Sequence, residues 1–228
     1  MLFSGLGVDG GLFGPQRSLP VRLLTPDWID PLGHGETVER YARRMAEQIA
    51  PELGRLGDGP LYLGGLSFGA AVALEAARIL RPAGIFLMSF GYSGHVLAPH
   101  LRVMLRGASW VPPPAMRQML RLTPLFIRVV GRPDRRQRDF LVRLVPRVNV
   151  RQCVWGAGAL LDWVYRGDPP VPVRHIHGDI DRIVPVENVR PDVVLPAAGH
   201  ALNVTHAAVV NGLLAKWMGV GGSGGVVE

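Results

Sequence analysis

Strand-length apolar runs alternate along this chain with longer stretches whose apolar residues fall three and four apart. That alternation limits the possible folds more than any other feature. Met1 to Gly5, Val21 to Leu24, Leu61 to Leu63, Gly84 to Met88, Val171 to Ile176 and Val193 to Leu195 read as strands. Between them, Thr37 to Leu53 sets Val38, Tyr41, Met45 and Ile49 on one helical face. Phe68 to Leu80 reads as an alanine-rich helix stopped before Pro82, and Thr205 to Met218 as a closing helix with Thr205 as its N-cap. Strands and helices in alternation predict an α/β fold, a parallel sheet covered by helices on both faces. The 228 residues suffice for one domain, expected over 1–218, with residues 219–228 as a flexible tail.

The alternation breaks once. From about residue 92 to 151, helix-like runs at Leu97–Leu105, Ala115–Leu122 and Gln137–Leu144 are separated by Pro112-Pro113-Pro114, Pro124 and Pro133, which predicts a helical lid inserted between two strands. The chain's net charge of +7 concentrates there. Tyr92 to Arg151 holds twelve arginines against Asp134 and Asp139, a balance of +10, and the remainder carries −3. Arginine forks suit phosphate and carboxylate, so the lid fits an anionic partner; a solvated helical face accounts for the same charge. Nucleic acid is not the expected partner, because no binding motif accompanies the arginines.

Apolar residues make up 48% and charged residues 19%, which argues against disorder. A single cysteine, Cys153, excludes an internal disulfide framework and any multi-cysteine zinc site. The longest uncharged segment, Pro82 to Leu101, carries two prolines, three glycines and polar residues, unlike a membrane-spanning helix. MLFSGLGVDGGLF lacks the cationic start and apolar run of a secretory signal, so a cytoplasmic location is expected.

Chemistry is suggested first by Leu61 to Gly69, LYLGGLSFG, in which Gly65-Leu66-Ser67-Phe68-Gly69 is a G-x-S-x-G match directly after an apolar strand and at the opening of a helix. A serine at a sharp strand-to-helix turn needs small neighbours two residues away, and the helix aims its free N–H groups at the place where negative charge would develop. A neutral serine also needs a base held by a third group. His200 ends the loop Pro196-Ala197-Ala198-Gly199-His200 after the last strand. The preceding loop, HGDIDRIVP from His177 to Pro185, offers Asp179 and Asp181 as the acid.

Across nearly its whole length the chain resembles the α/β-hydrolase superfamily. GLSFG resembles that family's nucleophile turn, HGDIDRIVP its H-G-x-x-D-x-x-V-P acid loop, and AAGH its G-H base loop. The resemblance implies Ser67 as nucleophile, His200 as general base and acid, and Asp181, rather than Asp179, as the group orienting His200. It also implies an oxyanion hole of the Phe68 amide and the Leu6 amide in Ser4-Gly5-Leu6-Gly7, with Ser4 where the family often has histidine. The first strand corresponds to the family's third, which implies a minimal sheet of about six strands, its edge shielded by the helix from Thr37 to Leu53.

The function expected is a serine hydrolase cleaving a carboxylic ester or related acyl bond of a small-molecule substrate, with no metal or organic cofactor. An acyl thioesterase for CoA or carrier-protein thioesters is the alternative, and a non-catalytic ligand-binding protein on the same scaffold is a third reading. Other residues have plainer readings. His175 and His177 have a metal-pair spacing but no third ligand, so they read as structural. Cys153 lies in an apolar run and reads as core. Gly5, Gly7 and Gly10 do not make a dinucleotide fingerprint. Trp110, Met104, Met116 and Met119 fit an acyl pocket or helix packing equally well.

Overall fold

The computed structural model describes residues 1–57, 59–122 and 130–220. Its strands are β1 (Leu2–Phe3), β2 (Tyr62–Leu66), β3 (Gly84–Met88), β4 (Val173–Gly178) and β5 (Val193–Leu195). Its α-helices are α1 (Val38–Gly54), α2 (Phe68–Leu80), α3 (Pro99–Ala108), α4 (Pro113–Leu120), α5 (Arg135–Leu144), α6 (Val150–Asp162), α7 (Leu202–Thr205) and α8 (Ala207–Met218). The strands form one parallel sheet in the order β1-β2-β3-β4-β5.

Side chains of β3 divide by strand period between two cores. Ile85 and Leu87 pack with α1 and α2 on one face; Phe86 and Met88 pack on the other with α8 and with a 3-10 helix over Gly10–Ser18. All five β3 residues are buried, which is why the sequence there shows a continuous apolar run and no alternation.

The sheet among the described residues has five strands, not six. Val21 to Leu24 lies beside β1 but shares only one backbone hydrogen bond with it, Leu2 N–H to the Leu24 carbonyl at 2.8 Å. Pro20 and Pro26 bracket the segment and its partner strand has only two residues, so no ladder can run along it. Val21, Leu23 and Leu24 still bury part of their side chains against the two cores. This segment lies at the β1 edge, whereas α1 packs on α2. At the other end, Thr205 does not cap the closing helix. It ends α7, where its hydroxyl donates to the Ala201 carbonyl, and His206 precedes α8 without a side-chain cap.

Between β3 and β4 the chain leaves the sheet and forms α3 to α6. The excursion is closed at its base, where Gly94 N–H donates to the Trp163 carbonyl at 2.9 Å and Tyr165 N–H to the Tyr92 carbonyl at 2.8 Å. Apart from Gly219 and Val220, the expected tail falls outside the described residues. Among the described residues no helix is long and apolar enough to cross a membrane.

Candidate active site

Ser67 stands alone between β2 and α2. Its φ of 56° and ψ of −122° are a conformation that a residue with a side chain adopts only when its surroundings force it. The two glycines make this possible. A Cβ on Gly65 would lie 2.2 Å from the Gly69 carbonyl, and one on Gly69 would lie 2.0 Å from the Phe3 carbonyl. The Ser67 hydroxyl does not cap α2 and makes no hydrogen bond among the described residues, while its amide is tied to the Met88 carbonyl at 2.9 Å.

Two loops at the carboxyl ends of β4 and β5 bring an acid and an imidazole together. Asp181 Oδ2 is 2.8 Å from His200 Nδ1, and Oδ1 accepts from the amides of Ile183 at 2.8 Å and Val184 at 3.0 Å. Burial alone would raise the Asp181 pKa, but His200 and the two amides outweigh it and hold the carboxyl below its ordinary value. An ionised carboxylate only accepts, so His200 donates to it from Nδ1. Asp179 is exposed and does not reach His200. The loops meet closely because residue 178 is glycine: a Cβ there would lie 2.2 Å from the Ala198 carbonyl.

The loop after β1 is folded on itself. The Ser4 hydroxyl donates to the carbonyls of Val8 and Asp9, and Trp28 Nε1 donates to the Val8 carbonyl at 2.8 Å. Gly7 N–H donates to the buried Gln152 side chain on α6, and Asn149 N–H donates to the Gly7 carbonyl at 2.8 Å. Neither the Leu6 nor the Phe68 amide donates a hydrogen bond among the described residues. Their side chains converge on Gly156, where a Cβ would be 2.4 Å from Leu6 Cδ1 and 3.5 Å from the Phe68 ring.

The family model described as the alpha/beta hydrolase family matches residues 2–213. The chain belongs to that family. Among solved structures it is similar to a thermophilic esterase from Thermogutta terrifontis, at 21% identity and a TM-score of 0.71 over 95% of this chain and 88% of that one. It is also similar to a bromoperoxidase from Bacillus anthracis, at 15% identity and a TM-score of 0.71 over 96% and 91%. A third, E-2-(acetamidomethylene)succinate hydrolase, has 17% identity and a TM-score of 0.67 over 96% and 90%. Likeness at these identities speaks to the fold. No curated protein matches the chain by sequence.

Behind its acid this alpha/beta hydrolase carries a second and a third imidazole, neither of which the sequence marked as part of the site. His177 Nε2 lies 2.8 Å from the Val184 carbonyl and 3.5 Å from Asp181 Oδ2, and His177 Nδ1 lies 3.2 Å from His175 Nε2. Because a carbonyl only accepts, His177 must donate from Nε2 and accept at Nδ1 from His175. Burial lowers both histidines, His175 to about 4 with the neighbouring His177 adding to the effect, so both are neutral near pH 7. Their spacing of two was visible in the sequence; their contact with the acid loop was not. Gln152 gave no sequence signal, because its partner Gly7 lies far away along the chain. Ala201 N–H donates to the Val130 carbonyl at 2.9 Å, so the insertion braces the His200 loop directly. The Cys153 thiol is half-buried and burial pushes it up to about 11, which keeps it protonated. Met116 packs with Val150 and Val154, whereas Met104, Trp110 and Met119 face solvent.

Proposed function

We propose that this alpha/beta hydrolase is a serine hydrolase that cleaves a carboxylic ester or related acyl bond of a small molecule. The observation that supports it best is the buried His200–Asp181 hydrogen bond at 2.8 Å, set at the same end of the sheet as a strained Ser67 whose hydroxyl is uncommitted. In this reading Ser67 Oγ attacks the carbonyl carbon while His200 Nε2 takes its proton. The oxyanion is held by the Leu6 and Phe68 amides. Its collapse expels the alcohol, protonated by His200, and leaves an acyl-serine. Water then attacks that ester, gives a proton to His200, and releases the acid as the proton returns to Ser67 Oγ. Asp181 stays ionised throughout and steadies the imidazolium. The insertion acts as the lid over the acyl group.

A fluorophosphonate probe should label the protein, and Ser67→Ala should abolish labelling and lower ester turnover by about 10⁶-fold. Equal labelling of both proteins would remove Ser67 from the reaction. A thioester substrate is the second reading, favoured by the exposed arginines of the insertion as an anchor for phosphates or for an acidic carrier. It predicts that acyl-CoA turns over faster than a matched ester at low salt and loses that advantage at high salt.

A further inference from the structure

Three of the side chains that remain unexplained by the site, Met104, Trp110 and Met119, belong to a larger set. Val103, Met104, Trp110, Met119 and Leu122 are between 52% and 83% exposed, and they make up five of the eleven large exposed hydrophobic residues among those described. They are not overflow from the core. The inner sides of α3 and α4 are already occupied: Leu101, Leu105 and Ala108 on α3, and Met116 and Leu120 on α4, pack toward α6 and its surroundings. Val103 and Met104 share the outer stripe of α3 with His100 and Gly107, at helical spacing. Trp110 follows one turn on, stacked on exposed His34 with 6.3 Å between ring centroids.

Along the sequence segment that holds these residues the charge has one sign. From Tyr92 to Pro133 the sequence has six arginines and no carboxylate. Arg106 is paired with exposed Asp162 of α6 at 3.3 Å, whereas Arg117 and Arg121 pair with no carboxylate among the described residues. They stand one turn apart, Arg117 on α4 and Arg121 just past its end, and border a cavity of about 350 Å³ whose other walls are Leu120, Val142, Val145 and Pro146. Two guanidinium groups at the rim of an apolar recess match an anionic headgroup above the first carbons of its chains.

We propose that the outer side of α3 and α4 docks this protein on an anionic lipid surface. A bilayer boundary offers both things the patch requires, negative charge for the arginines and an apolar layer a few ångströms deeper for Trp110, Val103 and Met104. Arginine suits this because its stem lies along apolar surface while its head stays at the phosphates. A second copy of the chain fits less well, since it would set arginine against arginine. A soluble polyphosphate would pair with the arginines and leave the apolar residues in water. The docking does not depend on the proposed ester chemistry.

The test uses the full chain carrying Ser67→Ala, so that binding is read without turnover. Vesicles containing phosphatidylglycerol should sediment with the protein, and vesicles of phosphatidylcholine alone should not. Of the five tryptophans only Trp110 is exposed, since Trp155 and Trp163 are buried and Trp28 and Trp217 pack partly buried against the cores, so a blue shift of tryptophan emission on binding should come from Trp110 and vanish in Trp110→Phe while sedimentation persists. Arg117→Gln and Arg121→Gln should each weaken partitioning by about fivefold. Val103→Ser with Met104→Ser should weaken it by about tenfold or more. Unchanged thermal melts would show that these variants are folded. The proposal is overturned by binding that ignores lipid charge, by no binding to either vesicle, by an unshifted emission, or by coenzyme A displacing the protein as readily as added vesicles do. Dimerisation without lipid that the same substitutions abolish would also overturn it.

Discussion

At Gly65 and Gly69 the constraint is one of free space more than of backbone freedom. Either Cβ would meet backbone atoms at 2.0 to 2.2 Å, and backbone in a packed turn cannot move aside as a side-chain tip can. Gly65→Ala is therefore expected to cost about 3 kcal/mol or more, read as a lower urea midpoint, together with loss of fluorophosphonate labelling. A Gly65→Ala protein as stable and as reactive as the parent would mean that the turn relaxes freely. The same residues show what was legible from sequence alone. Serine flanked by glycines after an apolar strand has a local cause, so the turn could be read directly. His177 reads from the sequence as structural, but its contacts could not be read there, because they depend on Val184 and Asp181, which the loop folds onto it.

The decisive contact between elements is the one between the loops after β4 and β5. Gly178 lets the Ala198–Gly199 backbone approach, and Ile180 N–H donates to the Ala198 carbonyl at 3.1 Å, which fixes His200 over Asp181. Gly178→Ala should push these loops apart while leaving the sheet in place. If the displacement reaches an ångström, ester turnover should fall by about 100-fold. Parental turnover in that variant would show that His200 is held by something else. Elements with a local pattern are legible in the sequence. β2 to β3 and the helices between and before them fell where apolar spacing put them. Val21 to Leu24 looked equally strand-like, but a ladder needs a partner long enough to pair with, and β1 is two residues long. Thr205 looked like a cap, but a separate short turn, α7, consumed it.

For the whole molecule, the buried histidines tie stability to pH. His175 drops from an ordinary value of 6.5 to about 4 on folding, and His177 shifts the same way. Between those values the unfolded chain binds protons that the folded chain refuses, so stability is full above pH 6.5 and declines as pH falls toward 4. His175 alone accounts for up to about 3 kcal/mol across that window. Asp181 is depressed instead, so its contribution is lost only below its unfolded value of 3.8. Thermal melts should therefore fall steadily from pH 7 to pH 4.5, and His175→Gln should flatten that slope without altering the loss at lower pH. An unchanged slope in that variant would place the titrating group elsewhere.

The sequence by itself determined the layered α/β architecture, the serine turn, the excursion between two strands and the concentration of arginine within it. Each of these follows from neighbours in the chain: spacing, glycine placement, proline breaks and charge count. Only the tertiary structure decided that a pair of imidazoles backs Asp181, that Gln152 pins the loop after β1, and which methionines face water. Those outcomes depend on which distant segments come to share space. They follow from packing and hydrogen-bond satisfaction across the sheet, which no local pattern encodes.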